Sequence, residues 1–496
     1  MRLADLLQGI YTHDVESRFK DHSIALISCD SRESQANGLF VALPGLTVNG
    51  ADFIAQAIAQ GANTVAKTGA GRQLGKYLIS EHVCVLDVPD PKQFLRQAAE
   101  RFYGQPSQKL GVIGITGTNG KTTITYLLES IIHAAGQKCG VIGTVNYRIG
   151  SRILPSKNTT PSFLDNERYL AQLVTEQAEF CVMEVSSHAL AQGRVEGIHF
   201  SAAVFTNLTQ DHLDFHKDME SYFQAKALLF TGLHSNACAI INSDDAYGRR
   251  LTALSRGKVT TYGFAVPADI QAVDVRYDLK GTALTVRFPD GKINMNTGLI
   301  GRHNVYNILA AAACAYRQGF ALAAIQKGIE QLRQVPGRLD PVEGPQDFFV
   351  FIDYAHTEDG LVNVLKALRA VSSNKIIVVF GCGGDRDHGK RPKMGQAACA
   401  LADYAIVTSD NPRTEDPQAI INAVIGGFSK KNFEICIERR EAIERALKMA
   451  RKGDVVLIAG KGHEDYQIFK DQTIPFNERE ITCSLLKKLS KPSTAN

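Results

Sequence analysis

Apolar and polar positions fall into short blocks along this chain: runs of five or six apolar residues closed by glycine, asparagine or aspartate, separated by stretches with apolar residues every three or four positions. The runs over 110–115, 139–143, 180–185, 202–206 and 238–242 predict strands, and the pattern over 222–230 predicts a helix. Alternation of this kind implies a largely parallel sheet with helical crossovers. A helix predicted over 323–332 stops before Val335-Pro336-Gly337-Arg338, and a second α/β alternation then begins, with strands predicted at 348–352, 375–380, 404–408 and 454–459. The turn-forming cluster Phe102-Tyr103-Gly104-Gln105-Pro106-Ser107 precedes the first run and puts a boundary near residue 107. Three domains follow, 1–107, 108–335 and 336–496, each long enough to bury its own core. The polar tail over 487–496 is expected to fray.

Composition narrows the partners. Charged residues make up 21% of the chain and the formal net charge is +4, so neither a basic stripe for nucleic acid nor an acidic tail is evident. No apolar run approaches the ~20 residues of a membrane span, and residues 1–20 mix leucine with polar and charged residues, so a soluble, uncleaved chain is expected. Ten cysteines without a C-x-x-C pair or regular spacing suit reduced, structural thiols in a cytosolic protein.

The candidate chemistry starts at Gly114-Ile115-Thr116-Gly117-Thr118-Asn119-Gly120-Lys121-Thr122-Thr123, between the first run and a helical pattern. It reads as a phosphate-binding loop: glycines let backbone N–H groups close around phosphate, Lys121 reaches the terminal phosphates, and the Thr122 hydroxyl suits Mg²⁺. ATP is the ligand this implies. The spacing departs from G-x-x-x-x-G-K-[ST], because Ile115 stands five before Gly120.

Glu184 closes a strand where open α/β sheets place ligand groups, which makes it a candidate Mg²⁺ ligand or a solvated strand-end carboxylate. Beyond the next strand, Asp211, His212, Asp214 and His216 crowd together as a possible second cation site; the H-E-x-x-H pattern of zinc enzymes is absent. Lys226 lies in a mainly apolar helical run, where an ammonium must either be compensated or snorkel to solvent. Asn304 can read an adenine edge or cap a helix; Arg338 can clamp phosphate, and Asp353, at a strand end, can hold ribose. In the last domain, Gly381-Cys382-Gly383-Gly384-Asp385-Arg386-Asp387 fails the dinucleotide pattern because Arg386 replaces its third glycine. With Asp410-Asn411-Pro412-Arg413 and Gly460-Lys461-Gly462-His463-Glu464 it makes three loops of both charge signs that suit a zwitterion, although turn and cap chemistry also explains Asp410 and Asn411.

These pieces, in this order, resemble the Mur ligases, ATP-dependent amide-bond enzymes of peptidoglycan synthesis, across essentially the whole chain. Within that family the resemblance is to the branch that adds the third residue of the peptide. It implies an N-terminal α/β domain for the uridine nucleotide, carried by Asp30-Ser31-Arg32 and Gly38-Leu39-Phe40-Val41-Ala42, a central P-loop ATPase-type parallel-sheet domain and a C-terminal Rossmann-like α/β domain. By the same resemblance Ser31, Asn158, Thr159, Thr160, Ser186, Gln192 and Arg194 contact UDP-N-acetylmuramoyl-L-alanyl-D-glutamate. Gly117, Thr118, Asn119, Gly120, Lys121, Thr122, Thr123, Asn304, Arg338 and Asp353 bind ATP. Thr122, Glu184, His212 and Lys226, the last as N6-carboxylysine, hold Mg²⁺, with Lys121, Lys226 and His212 serving catalysis.

Arg386, Asp410, Asn411, Arg413, Gly460 and Glu464 match the amino-acid contacts. The Asp-Asn-Pro-Arg form is similar to meso-diaminopimelate enzymes, and the Arg413 guanidinium supplies a reason, since it can grip that amino acid's second carboxylate in two bonds. Glu358 stands where the family usually has proline and is expected to alter only a helix start. A cytoplasmic monomer without nucleic-acid or membrane partners is implied. Folylpolyglutamate synthase, which has a related loop, is disfavoured by Asp410-Asn411-Pro412-Arg413 and by the uridine-type domain. A non-catalytic nucleotide-binding regulator is disfavoured because Lys121, Glu184 and Lys226 are all present.

Overall fold

Each apolar run named above forms a strand, and the polar residues that close the runs lie at the strands' carboxyl ends. A computed structural model describes residues 1–45, 48–69, 71–74 and 77–489, apart from the side chain of Asp214. The helix Glu478–Leu489 takes in the first three residues of the expected polar tail, which are therefore helical; the rest of that tail lies outside the described residues. Packing divides the chain into two units, one made of Met1–Ile113, Lys138–Ile142 and Tyr147–Ser201, the other of Gly114–Gln137, Gly143–Asn146 and Ala202–Asn496.

In the first unit the strands Leu26–Ser28, Gly38–Val41, Ala62–Lys67 and Cys84–Asp87 pair in that order, all parallel. The helix Pro91–Tyr103 shows why the chain turns where it does. Asp90 caps it by accepting from the N–H groups of Lys92 and Gln93, proline takes the first helical position, and Gly104 ends it in the left-handed region at φ 72°. Its buried face, with Phe94, Leu95 and Ala98, joins Leu3, Leu6, Phe19 and Leu39 in one core. Phe180–Glu184 runs parallel to Cys139–Ile142 in the same unit.

The second unit contains two sheets that matter for chemistry. In one, the strand Phe200–Phe205, which belongs to this unit from Ala202 on, Cys238–Asn242, Lys258–Gly263 and Ile270–Asp278 are successive parallel neighbours, extended by the antiparallel strands Gly281–Phe288 and Gly291–Thr297. The alanine-rich helix Arg302–Arg317 is buried along Ile308 to Ala315, where small side chains allow close packing. The other sheet has the order Asp340–Pro341, Phe349–Asp353, Val455–Ala459, Ile376–Phe380, Tyr404–Val407, Phe433–Ile435, parallel except for its short first strand. The helices Glu358–Val371, Lys390–Leu401 and Pro417–Ile425 cover one face, and Arg439–Met449 with Glu478–Leu489 covers the other. The central strands are consequently apolar throughout, as in Ile376–Phe380 and Val455–Ala459, where all five residues are buried. Thr357 caps the helix Glu358–Val371 by accepting from the Gly360 N–H, and Glu358 is its first residue, a position an acidic side chain suits as well as proline does.

Candidate functional site

The phosphate-type loop joins the strand Gly111–Thr116 to the helix Lys121–Ala134. Two of its glycines are there because nothing larger fits. Gly117 has φ +145°, and a Cβ there would lie 1.8 Å from Thr206 Oγ1; Gly120 has φ +94°, and a Cβ would lie 2.3 Å from Asn307 Oδ1. The Thr206 hydroxyl donates to the Asn119 carbonyl at 2.6 Å, the Asn119 N–H donates to Asn207 Oδ1 at 3.0 Å, and the Asn119 amide reaches Asp359 at 3.1 Å, so the loop is held from three sides. Lys121 Nζ donates to the carbonyls of Gly117 and Thr118, both at 2.9 Å, which places its ammonium inside the curl of the loop.

Lys226 does not snorkel. It is 1% exposed, on the helix Met219–Thr231, and its Nζ donates to the Gly117 carbonyl at 2.9 Å. The face of Tyr222 lies 4.5 Å from that nitrogen, and the Tyr222 hydroxyl lies 3.3 Å from Thr118 Oγ1. Burial, with the Lys121 charge adding to it, holds the Lys226 ammonium well below the ordinary lysine range, against a smaller opposing pull from Asp211. A lysine stem is long enough to carry its ammonium from an apolar helix to solvent, but packing under the loop closes that route. The rings of His212 and His216 both contact Tyr222, at centroid distances of 6.1 and 5.0 Å, with His216 buried and His212 exposed. His212 sits at φ 53°, and Asp211 Oδ2 lies 3.4 Å from its Nε2.

Arg338 projects toward the loop from the turn after Pro336. One Nη donates to Thr122 Oγ1 at 3.3 Å while the guanidinium stacks 5.0 Å above Tyr354. Asp353 accepts from the Leu339 and Ala355 N–H groups, one on each oxygen, at 2.7 and 2.8 Å. Asn304 is buried; its Nδ2 donates to the Ile300 carbonyl and its Oδ1 accepts from Asn307, both at 2.9 Å. Gly301, rather than Asn304, stands at the N-cap of Arg302–Arg317.

In the last sheet, the loops after Ile376–Phe380, Tyr404–Val407 and Val455–Ala459 meet at one edge. Arg413, at φ 54°, donates to the Gly384 carbonyl at 2.7 Å, tying two of the loops together. Asn411 donates to Glu464 at 3.0 Å, and a Cβ on Gly460 would lie 2.7 Å from Asp410 Oδ2. Arg386 is exposed and donates only weakly, at 3.4 Å, to the Asp385 carbonyl beside it. Two charged residues here, Arg439 and Glu478, escaped the sequence reading, and Lys461 was read only as part of a charged loop. Lys461 is wholly buried between Asn411 and Glu464. Arg439 and Glu478 form a buried pair at 2.6 Å, and Arg439 also donates to the Ser409 and Ala459 carbonyls at the mouths of two of the loops. The only sequence signal for Lys461 is its place between two glycines after an apolar strand; Arg439 and Glu478 carry none.

Another group gathers in the first unit. Thr160 is buried, donates to the Glu184 carbonyl at 2.8 Å and accepts from the Ser186 N–H at 3.0 Å. Arg194 donates to the Thr160 carbonyl at 3.0 Å and to Gln192 at 2.9 Å, and Tyr147 OH donates to the Asn158 carbonyl at 2.6 Å. Thr159 lies between these anchored neighbours. Ser31 donates to Gln56 at 2.8 Å and lines a cleft of about 670 Å³ with Asp30, Arg32, Ser162, Asp165 and Arg168. Glu184 belongs to this unit, whereas Lys121, Thr122, His212 and Lys226 belong to the other. Among the described residues, no three of His, Cys, Asp or Glu gather as a metal cage. No helix among them is long and apolar enough to cross a membrane.

Comparison with known proteins adds three matches to family models: "Mur ligase family, catalytic domain" over residues 23–103, "Mur ligase middle domain" over 115–315, and "Mur ligase, glutamate ligase domain" over 337–462. The chain is 43% identical to the UDP-N-acetylmuramoyl-L-alanyl-D-glutamate--2,6-diaminopimelate ligase of Geobacter metallireducens, with 99% of each chain covered. It is also 43% identical to the ligase of the same name from Geobacillus thermodenitrificans, covering 98% of this chain and 99% of the other. A solved structure of a ligase of that name superposes with a TM-score of 0.70 at 33% identity, covering 99% of this chain and 100% of the other. Folylpolyglutamate synthase from Mycobacterium tuberculosis, solved with ADP and AMPPCP, shares the fold at a TM-score of 0.61 and 18% identity, over 74% of this chain and 92% of the other.

Proposed function

The chain belongs to the Mur ligase family, and on that premise we propose that it joins meso-2,6-diaminopimelate to the D-glutamyl γ-carboxylate of UDP-N-acetylmuramoyl-L-alanyl-D-glutamate, hydrolysing ATP to ADP and phosphate. The observation that carries this reading is the loop built around Gly117, with two lysines converging on it, in a chain whose last sheet presents a pocket of both charge signs. Residues 1–107 take the uridine nucleotide, 108–335 the ATP and 336–496 the amino acid. The protein acts as a cytoplasmic monomer in peptidoglycan precursor synthesis.

A carboxylate is a poor electrophile. An oxygen of the γ-carboxylate attacks the terminal phosphorus of ATP, the bond to ADP breaks, and an acyl phosphate forms. The neutral amine of diaminopimelate then attacks the acyl carbon, the C–O bond to phosphate breaks, and the amine proton passes to solvent or a nearby base. Lys121 and the loop N–H groups of residues 117–123 neutralise and orient the phosphates, Arg338 grips them from the other side, and Asn304 and Asp353 hold adenine and ribose. Ser31 lines the nucleotide cleft, while Asn158, Thr159, Thr160, Ser186, Gln192 and Arg194 hold the muramyl dipeptide. Arg386, Asp410, Asn411, Arg413, Gly460 and Glu464 receive the amino acid.

Thr122 and Glu184 offer side-chain oxygens of the kind Mg²⁺ prefers, and phosphate and water supply further oxygen ligands, so a protein-only cage is not required. Thr122, Glu184, His212 and a Lys226 carbamate would hold it, and it would supply charge neutralisation on the phosphates. The carbamate forms from a neutral amine and CO₂ with loss of a proton, and the depressed Lys226 ammonium supplies that amine.

The test is incubation of the protein with Mg²⁺-ATP and the UDP-muramyl dipeptide, together with meso-diaminopimelate or L-lysine, following ADP release and product mass. Turnover with diaminopimelate alone is expected. Turnover with lysine alone would refute the specificity, and none with either, from folded protein supplied with bicarbonate, would refute the ligase reading.

A further inference from the structure

We propose that Lys461 is a positioning residue that sets which amino acid the last-sheet pocket accepts; this rests on the ligase reading above. Its side chain is 0% exposed, and its Nζ donates to Asn411 Oδ1 at 3.0 Å and to Glu464 Oε2 at 3.1 Å, with Asp410 Oδ1 at 3.9 Å. The face of Tyr466 lies 5.4 Å away. An ammonium without solvent is retained only where such acceptors surround it.

The consequence is an amide with one possible orientation. Asn411 Oδ1 faces two groups that can only donate, the Lys461 ammonium and the Ile468 N–H at 3.0 Å. Asn411 Nδ2 faces Glu464 Oε2, which can only accept when ionised. With the amide fixed, the remaining hydrogen on Nδ2 is the group Asn411 offers to a ligand, and it matches a carboxylate. Glu464 uses Oε2 for Lys461 and Asn411, which leaves Oε1 to accept from a ligand's ammonium. Lys461 thereby turns one asparagine and one glutamate into a donor and an acceptor at fixed places, the pattern an α-amino-acid zwitterion requires.

Lys461 also balances charge. Asp410 and Glu464 carry two negative charges near the pocket, while Arg386, Arg413 and Lys461 carry three positive ones. Removing Lys461 takes away one of the two donors that hold the Asn411 oxygen and the ammonium that anchors Glu464 Oε2, and it makes the pocket one charge less positive, which shifts preference toward an amino acid with surplus positive charge. Lysine has that surplus and meso-diaminopimelate does not.

The experiment compares wild type, Lys461→Met, Asn411→Ala and the double variant in the full chain, with ADP release as readout and thermal melting to establish folding. In Lys461→Met we expect KM for meso-diaminopimelate to rise at least tenfold, KM for ATP to stay within twofold, and the diaminopimelate-to-lysine preference to fall at least tenfold. In the Asn411→Ala background the same substitution is expected to change KM for diaminopimelate by less than threefold, because it acts through that amide. Additive effects, an equal rise in the KM of ATP or an unchanged preference would overturn the proposal. Wild-type inactivity with diaminopimelate would instead overturn the ligase reading beneath it. Should Lys461→Met fail to fold, Lys461→Gln, which keeps a donor to Asn411 but not the charge, is expected to retain KM for diaminopimelate within about threefold while losing preference over lysine. Retention of both would equally refute the charge argument.

Discussion

Lys121 and Lys226 donate to the same acceptor, the Gly117 carbonyl, each at 2.9 Å. Two ammoniums around one oxygen repel, and the repulsion falls on the buried one: the Lys226 ammonium is disfavoured first by burial and then by the Lys121 charge. The pair explains how a lysine in an apolar helix can be both buried and chemically useful, since what burial favours is the neutral amine.

One consequence is a pH-dependent stability difference. The unfolded chain binds a proton on Lys226 up to the ordinary value of 10.5, whereas the folded chain releases it at lower pH, so the unfolded state holds more protons across that window. Stability contributed at this site therefore rises with pH toward 10.5 and is least below the depressed value. In CO₂-free buffer, the stability of wild type relative to Lys226→Met is expected to increase from neutral pH toward the ordinary lysine value. Urea midpoints of the two proteins measure it, and a flat difference would contradict the assignment.

Carboxylation at the same nitrogen is checked separately. Protein equilibrated with ¹³C-bicarbonate is expected to show a carbamate carbon resonance that Lys226→Met lacks, and the variant is expected to lose turnover on the order of 10²-fold or more, the range for removal of one preorganised charge-stabilising group.

Gly117→Ala addresses the loop alone. The added methyl meets the Thr206 hydroxyl that braces Asn119, in a backbone conformation that L side chains rarely adopt. Strain of about 1–3 kcal/mol is expected, and titration calorimetry with a non-hydrolysable ATP analogue should show at least about tenfold weaker binding while diaminopimelate affinity is unchanged.

For Arg413→Lys the loss is geometric. The lysine keeps a charge but not the two-pronged grip, so selectivity for diaminopimelate over lysine is expected to fall by about 10- to 100-fold, the equivalent of ~1.5–3 kcal/mol for a charge-assisted bond. Competition between the two amino acids in one reaction, resolved by product mass, reads this directly.

Arg439→Met is expected to destabilise the protein by about 3–5 kcal/mol because Glu478 would remain buried without its partner. Replacing both residues by apolar ones of similar volume should recover most of that loss. Denaturant midpoints of the wild type and the two variants distinguish a broken ion pair from a simple packing defect.

Strand positions were legible because both faces of the sheets are covered, which leaves uninterrupted apolar runs with polar residues at their ends; Ile376–Phe380 and Val455–Ala459 are examples. The loop at Gly117 was legible because phosphate-type loops draw their chemistry from consecutive residues. The hidden parts depend on residues distant in sequence. Arg439 and Glu478 lie on two helices, and nothing in either helix's pattern marks the side chain as buried. Lys226 can be read from sequence as either compensated or snorkelling, because its long stem reaches in either direction, so only packing against the loop decides. Asn304 was read as an adenine contact or a helix cap, and the structure gives the N-cap to Gly301 while engaging the Asn304 amide with Ile300 and Asn307.

The order of strands in the last sheet has a consequence for how the protein is made. Val455–Ala459 lies between Phe349–Asp353 and Ile376–Phe380, although about a hundred residues of strand and helix are synthesised between the first of these neighbours and Val455–Ala459. On the ribosome, each of the two earlier strands keeps one unpaired edge until Val455–Ala459 has emerged, although each can already pair with a neighbour on its other side. A nascent chain cut short before residue 455 would leave those edges exposed to aggregation, even though every other strand of the sheet had already been made.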